Sequence, residues 1–178
     1  MLAFDIETLT GLDPMQPGNR VTVAAVYDPA RGIERVFNFL RGDDPEAFFA
    51  VLDEAERLCA FNGARFDIPF IQRHWRVPLA RAQAWLVKLF DVFEACKVAL
   101  GVTFSLNALL AENGLGEKTG SGLEAIELAR SGEHAKLEAY CMDDTILTHR
   151  ASSLERIAVP KNPGLFFTPR ARILFVRL

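Results

Sequence analysis

The stretch Leu2-Ala3-Phe4-Asp5-Ile6-Glu7-Thr8 decides how this chain is interpreted. Apolar and acidic residues alternate along it, and a period of two is typical of an extended strand with Asp5 and Glu7 on one face. On an exposed strand the two carboxylates would simply be solvated. A strand that is apolar from residue 2, however, is typical of the centre of a sheet, where paired acids need a compensating cation. The alternative to a solvated face is therefore a site for a hard cation such as Mg²⁺, which takes carboxylate oxygens.

The composition predicts a soluble globular protein. The chain has 178 residues, half of them hydrophobic, and no apolar run approaches the roughly 18 residues of a membrane span. No charged-then-apolar leader precedes the first strand. Three cysteines, at positions 59, 96 and 141, show no metal-ligand spacing. We therefore expect reduced thiols and a cytoplasmic location.

The charge is divided unevenly along the chain. The net charge is -3, but residues 156–178 carry five basic side chains and no acid, which leaves -8 on residues 1–155. We predict an enzyme-like domain over residues 1–155 and a basic C-terminal arm over residues 156–178. The arm suits contact with phosphates, through Arg170, Arg172 or Arg177, or with another chain, and a solvated tail with a docked strand at 173–176 fits almost as well.

The order of elements predicts an α/β domain with a mixed sheet. Residues 21–27 and 33–39 are β-rich runs separated by a turn composition, which indicates two antiparallel strands after the first. Asp44 and Pro45 are typical of a helix start, and this helix is expected to end near Leu58. The remaining pattern predicts strands at 59–61 and 86–90 and helices at 67–75, 92–100, 105–113, 123–129 and 134–157.

Two further segments carry acids that are suited to chemistry. Asp67 stands at the start of a helix, after a strand and a tight turn at 62–63, and a helix cap explains it equally well. Tyr140 and Asp144 are four residues apart and share a helix face. Because Asp143 also lies near that face, helix register alone does not choose between the two acids.

In combination these segments resemble the tyrosine subclass of the DEDD superfamily of 3′→5′ exonucleases. The family's first motif, D-x-E on an apolar strand, matches Asp5 and Glu7. In the proofreading domains of family B DNA polymerases the second motif is N-x-x-x-F-D, and 62–67 matches it in full. The third, Y-x-x-x-D, matches Tyr140 and Asp144. The resemblance spans about residues 2–150 and implies a ribonuclease H-like fold, with a mixed central β-sheet flanked by helices.

The resemblance also implies the chemistry. It implies hydrolysis of single-stranded DNA or RNA from the 3′ end, with two divalent ions, Mg²⁺ or Mn²⁺, about 3.5–4 Å apart. The metal-binding carboxylates would be those of Asp5, Glu7, Asp67 and Asp144. This assignment selects Asp144 over Asp143. Tyr140 would position the attacking water, and the products would be nucleoside 5′-monophosphates.

Weaker assignments concern the substrate. Thr8, Asn62 and Lys118 are candidate substrate-binding residues. Asn62 either holds the substrate or braces the turn, and Lys118, in a glycine-rich loop, either contacts a phosphate or is solvated. Asp91 follows an apolar strand and is equally well explained as an acid behind the site or as a helix start.

Two other functions compete with the exonuclease. One is a catalytically silent nucleic-acid-binding module on the same fold, and the other is an endonuclease of the ribonuclease H kind. The complete set of four acids and a tyrosine argues against the silent module. The N-x-x-x-F-D and Y-x-x-x-D motifs favour the exonuclease over the endonuclease. A partner polymerase or helicase would be a separate chain. The motifs contact metals and phosphates, so they do not distinguish DNA from RNA.

Overall fold

The computed structural model describes residues 1–154 except 12, 14, 15, 102 and 119, and also residue 158. The basic arm predicted for 156–178, with Arg170, Arg172, Arg177 and the strand at 173–176, lies outside the described residues apart from Ala158. Within the described part of the chain, no helix is long and apolar enough to cross a membrane.

The described residues form one five-stranded sheet that is antiparallel on one side and parallel on the other. Its strands are β1 (Leu2–Thr8), β2 (Val21–Asp28), β3 (Ile33–Asn38), β4 (Leu58–Ala60) and β5 (Leu89–Asp91). Their order is β3-β2-β1-β4-β5. β1 is antiparallel to β2 and parallel to β4, which in turn is parallel to β5. This confirms the predicted mixed sheet and the central position of β1.

Helices follow and flank these strands. They are α1 (Pro45–Glu54), α2 (Asp67–His74), α3 (Leu79–Val87), α4 (Val92–Leu100), α5 (Leu106–Glu112), α6 (Gly122–Ser131) and α7 (His134–Ser152), with a 3-10 turn at Phe39–Arg41. α1 begins as predicted, because Asp44 accepts a hydrogen bond from the Glu46 N–H at 3.0 Å and Pro45 needs no partner. The Ser105 hydroxyl caps α5 in the same way, by accepting from the Ala108 N–H at 3.2 Å.

Three predicted boundaries were wrong. α1 ends at Glu54 rather than near Leu58, because Leu58 is fully buried as the first residue of β4. The strand predicted at 86–90 is only Leu89–Asp91, and the preceding residues end α3, a helix that the sequence pattern did not reveal. Leu86 and Val87 misled the prediction because their apolar side chains are exposed rather than buried in a sheet. α7 ends at Ser152, short of the predicted end at 157, and residues 155–157 lie outside the described part.

The two faces of β1 are used differently. Leu2, Phe4 and Ile6 pack into the larger core, together with buried side chains of α1, α2 and α3. The opposite face, which carries Asp5 and Glu7, is covered by α7. The sequence alternation therefore separates a core face from an acidic face, and α7 brings its own polar residues onto the acidic one.

Candidate active site

Three carboxylates converge between β1 and α7. One oxygen each of Asp5, Glu7 and Asp144 lies within 4.8 Å of the others, a geometry that can hold a metal ion. The first two are adjacent because strand residues two apart share a face. Asp144 is buried on the inner face of α7, whereas Asp143 is exposed. The structure thus places Asp144, the acid that the family resemblance selected, on the inner face, a choice that helix spacing by itself left open.

Asp67 adjoins this cluster through the backbone of β1. Its buried carboxylate accepts a hydrogen bond from the Ile6 N–H at 3.2 Å. The last paired residues between β1 and β4 are Ala3 and Cys59, so the N–H of Ile6 lies past the end of β4 and takes a side-chain acceptor instead. The four predicted acids are therefore in one place, with three in direct proximity and Asp67 beside them.

A constrained turn delivers Asp67 to this position. Asn62 has a φ of 66°, in the left-handed region that Asn tolerates better than most residues. A Cβ at Gly63 would lie 2.5 Å from the Cβ of Ala60, so that only glycine fits there. Sequence reasoning missed this steric role of Gly63, although the Asn-Gly pair signalled a turn.

Lys118 and Tyr140 complete the site on the α7 side. The Lys118 Nζ lies 2.5 Å from Oδ2 of Asp144 and 5.5 Å from the centre of the Tyr140 ring. A Cβ at Gly120 would come within 3.2 Å of the Tyr140 ring, so the glycine-rich loop passes directly over it. Lys118, for which the sequence left phosphate contact and a solvated side chain as alternatives, is thus a counter-ion of the acidic cluster.

The candidate substrate residues Thr8 and Asn62 lie at the edges of the site. The Thr8 hydroxyl donates a hydrogen bond to the carbonyl of Gly11 at 2.8 Å and so fixes the turn after β1. The backbone N–H of Asn62 donates to Asp91 at 2.9 Å. Both residues therefore have a bracing contact within the protein.

The electrostatics of the cluster favour bound cations. Burial, followed by the Asp144 charge, raises the pKa of Glu7 to about 8. Burial likewise raises the pKa of Asp67 to about 7, although the backbone N–H of Ile6 opposes the shift. Burial and the neighbouring acids raise the pKa of Asp5 as well. Burial and the mutual repulsion of the acids, only partly offset by the Lys118 ammonium, therefore favour protonated carboxyls when no cation is bound.

Two buried polar atoms support the same conclusion. Oδ1 of Asp144 and the hydroxyl of Tyr140 have no hydrogen-bond partner among the described residues. An unpaired buried polar group costs about 1–3 kcal/mol, so a bound ion or water is expected to use these atoms. An all-carboxylate set of this kind suits hard cations such as Mg²⁺ or Mn²⁺. The residues present therefore fit divalent metal ions.

Comparisons with known proteins agree with this fold. A family model described as RNase_H superfamily matches residues 2–150. No curated protein matches the sequence. Among solved structures, the chain is similar to the family B DNA polymerase from the hyperthermophilic archaeon Pyrobaculum calidifontis, with a TM-score of 0.67 and 20% identity. The similarity covers 83% of this chain but only 23% of the polymerase chain, so the two proteins share a fold over one part of the larger protein.

Proposed function

The chain belongs to the RNase_H superfamily, and from that premise we propose that it is a metal-dependent 3′→5′ exonuclease of single-stranded DNA or RNA. It would hydrolyse the terminal phosphodiester bond and release nucleoside 5′-monophosphates. The observation that carries the proposal is the convergence of Asp5, Glu7 and Asp144 within 4.8 Å, beside a tyrosine hydroxyl with no partner among the described residues.

The four acids are proposed to hold two divalent ions, Mg²⁺ or Mn²⁺. When bound, such ions supply an activated water and positive charge that stabilises the leaving 3′ oxygen. The chain contributes a framework that holds the acids in place. β1 fixes Asp5 and Glu7, α7 fixes Asp144, and the N–H of Ile6 fixes Asp67.

Tyr140 is proposed to orient the attacking water. Burial, followed by the nearby Asp144 carboxylate, raises the pKa of Tyr140 above its ordinary value. The hydroxyl therefore keeps its proton at neutral pH and acts as a hydrogen-bonding group rather than as a general base. Its buried oxygen lies near Asp144 and Lys118 but makes no hydrogen bond of good geometry among the described residues, which leaves it able to bind a water.

Lys118, Asn62 and Thr8 are proposed to contact the substrate. The Lys118 ammonium already lies against the acidic cluster, so a short movement would let it exchange Asp144 for a phosphate oxygen. Thr8 is the last residue of β1, which carries Asp5 and Glu7, and Asn62 lies in the turn before α2, which begins at Asp67. A polymerase or helicase that exposes 3′ ends is the protein partner that we propose for this activity.

The position of a label on the substrate tests the proposal. With a 5′-labelled single strand and Mn²⁺, we expect a ladder of shortening products. With the label on the last internucleotide phosphate, we expect immediate release of a labelled nucleoside 5′-monophosphate. Matched DNA and RNA strands identify the substrate, and Asp144→Asn serves as the inactive control. Internal fragments from both substrates would indicate an endonuclease, and binding without metal-dependent cleavage would indicate a silent module.

A further inference from the structure

Asp91 is a buried acid outside the carboxylate cluster, at the end of β5. Its Oδ1 accepts hydrogen bonds from the N–H groups of Phe93 and Glu94, at 3.0 and 3.3 Å, and thereby caps α4. The same carboxylate also accepts from Asn62 N at 2.9 Å and, through Oδ2, from Ala64 N at 2.9 Å. A helix cap needs only the first two of these bonds. The other two join α4 to the turn that precedes Asp67.

That turn needs an external support. It combines the left-handed Asn62 with the close approach of Gly63 to Ala60. α2, which begins at Asp67, has no side-chain hydrogen bond at its N-cap. An ion pair between Arg65 and Glu94 joins the same two segments, but it is partly exposed and therefore stabilises the turn only weakly. In addition to the backbone hydrogen bonds within the turn and the ring contact of Phe61 with Phe93, the buried Asp91 carboxylate links the turn to α4 by two hydrogen bonds.

We propose that Asp91 is a positioning residue for Asp67. By holding the amides of Asn62 and Ala64, it fixes the turn that places the Asp67 carboxylate against the Ile6 N–H and beside Asp5. The inference rests on the proposed metal centre. Groups that hydrogen-bond a metal ligand directly typically change metal affinity or activity by about 10–100-fold when they are removed, and since Asp91 acts through the turn amides, we expect the lower end of that range.

A serine at this position separates the two roles of Asp91. In Asp91→Ser, the hydroxyl still caps α4, but its short side chain does not reach both turn amides. The matched control is Asp44→Ser, which makes the same change at the cap of α1, in an exposed position at another helix. We expect Asp91→Ser to weaken Mn²⁺ binding in calorimetry by about tenfold or more and to lower kcat with little change in KM. Asp44→Ser should change neither quantity.

Hydrogen exchange supplies a readout that is independent of activity. The amides of Asn62 and Ala64 should exchange at least about tenfold faster in Asp91→Ser, whereas those of Phe93 and Glu94 should change much less. If Asp91→Ser does not fold, Asp91→Asn, which keeps one acceptor oxygen, replaces it, and Asp44→Asn is its control. Asp91→Asn should then bind Mn²⁺ more weakly than Asp44→Asn does. Mn²⁺ affinity within twofold of wild type, or an equal loss in the control, would overturn the proposal. If the wild-type protein binds Mn²⁺ but cleaves no strand, the proposed exonuclease activity is refuted. The comparison of Mn²⁺ affinities still tests the role of Asp91.

Discussion

Without metal ions, the acidic cluster should make the protein less stable as the pH rises. The pKa of Glu7 is raised from 4.5 to about 8, and that of Asp67 from 3.8 to about 7. Between these limits the folded protein retains protons that the unfolded chain releases. The free energy of unfolding therefore falls with rising pH across this window, which is opposite to the usual behaviour of carboxylates in salt bridges.

The size of the effect follows from the number of retained protons. Each proton held only by the folded state contributes about 1.4 kcal/mol per pH unit. Glu7 and Asp67 together contribute at most about 3 kcal/mol per unit near pH 6, before any proton retained by Asp5 or Asp144 is added. Because neighbouring carboxyls share protons and Glu7 is partly exposed, we expect about half of that bound. Over one and a half pH units the free energy of unfolding should fall by about 2 kcal/mol. This is a large part of a typical total stability of roughly 5–15 kcal/mol.

A substitution separates this effect from other titrations. Burial lowers the pKa of His74 and His149, so these residues make stability rise with pH and mask part of the loss. Glu7→Gln removes one retained proton but leaves both histidines in place. Its slope of stability against pH should be less negative than that of wild type by about 1 kcal/mol per unit. Glu127→Gln, on the exposed side of α6, should keep the wild-type slope.

Urea unfolding at pH 5.5, 6.25 and 7.0, in the presence of a chelator, measures these slopes. Saturating Mn²⁺ should remove the negative slope in wild type, because bound cations favour the ionised carboxylates. Identical slopes for wild type and Glu7→Gln without metal would refute the reasoning. The acids would then be solvated well enough to ionise separately.

Four other substitutions test further residues of the site and the register of α7. Lys118→Met should tighten Mn²⁺ binding to the substrate-free protein in calorimetry, because the ammonium no longer competes for Asp144; weaker binding would contradict this. Tyr140→Phe should preserve the melting temperature and Mn²⁺ affinity while lowering kcat by roughly a hundredfold, and unchanged turnover would exclude a role for the hydroxyl. Asp143→Ala should leave turnover and Mn²⁺ binding nearly unchanged because the side chain is exposed, whereas Asp144→Ala should lose both. If Asp143→Ala were the inactive variant instead, the assigned register of α7 would be wrong.

The sequence by itself determined those features that depend on neighbours along the chain. The period of two in β1 placed Asp5 and Glu7 on one face and the apolar residues on the other. Asp44 and Ser105 marked helix starts through hydrogen bonds that span only two or three residues. The order of the strand and helix patterns was likewise sufficient to predict a mixed α/β fold. Such features are local, so a linear pattern contains them.

The tertiary structure alone decided those contacts between distant segments that no motif or local pattern predicts. Without the family resemblance, Tyr140 paired equally well with Asp143 or Asp144, and only the packing of α7 on β1 turned one inward. Lys118 became a counter-ion because its loop folds over the cluster. Two of the hydrogen bonds of Asp91 come from amides 27 and 29 residues away, and the Asp67 contact with Ile6 spans 61 residues. No periodicity encodes such contacts, since they exist only after hydrophobic burial has brought the strands and helices together.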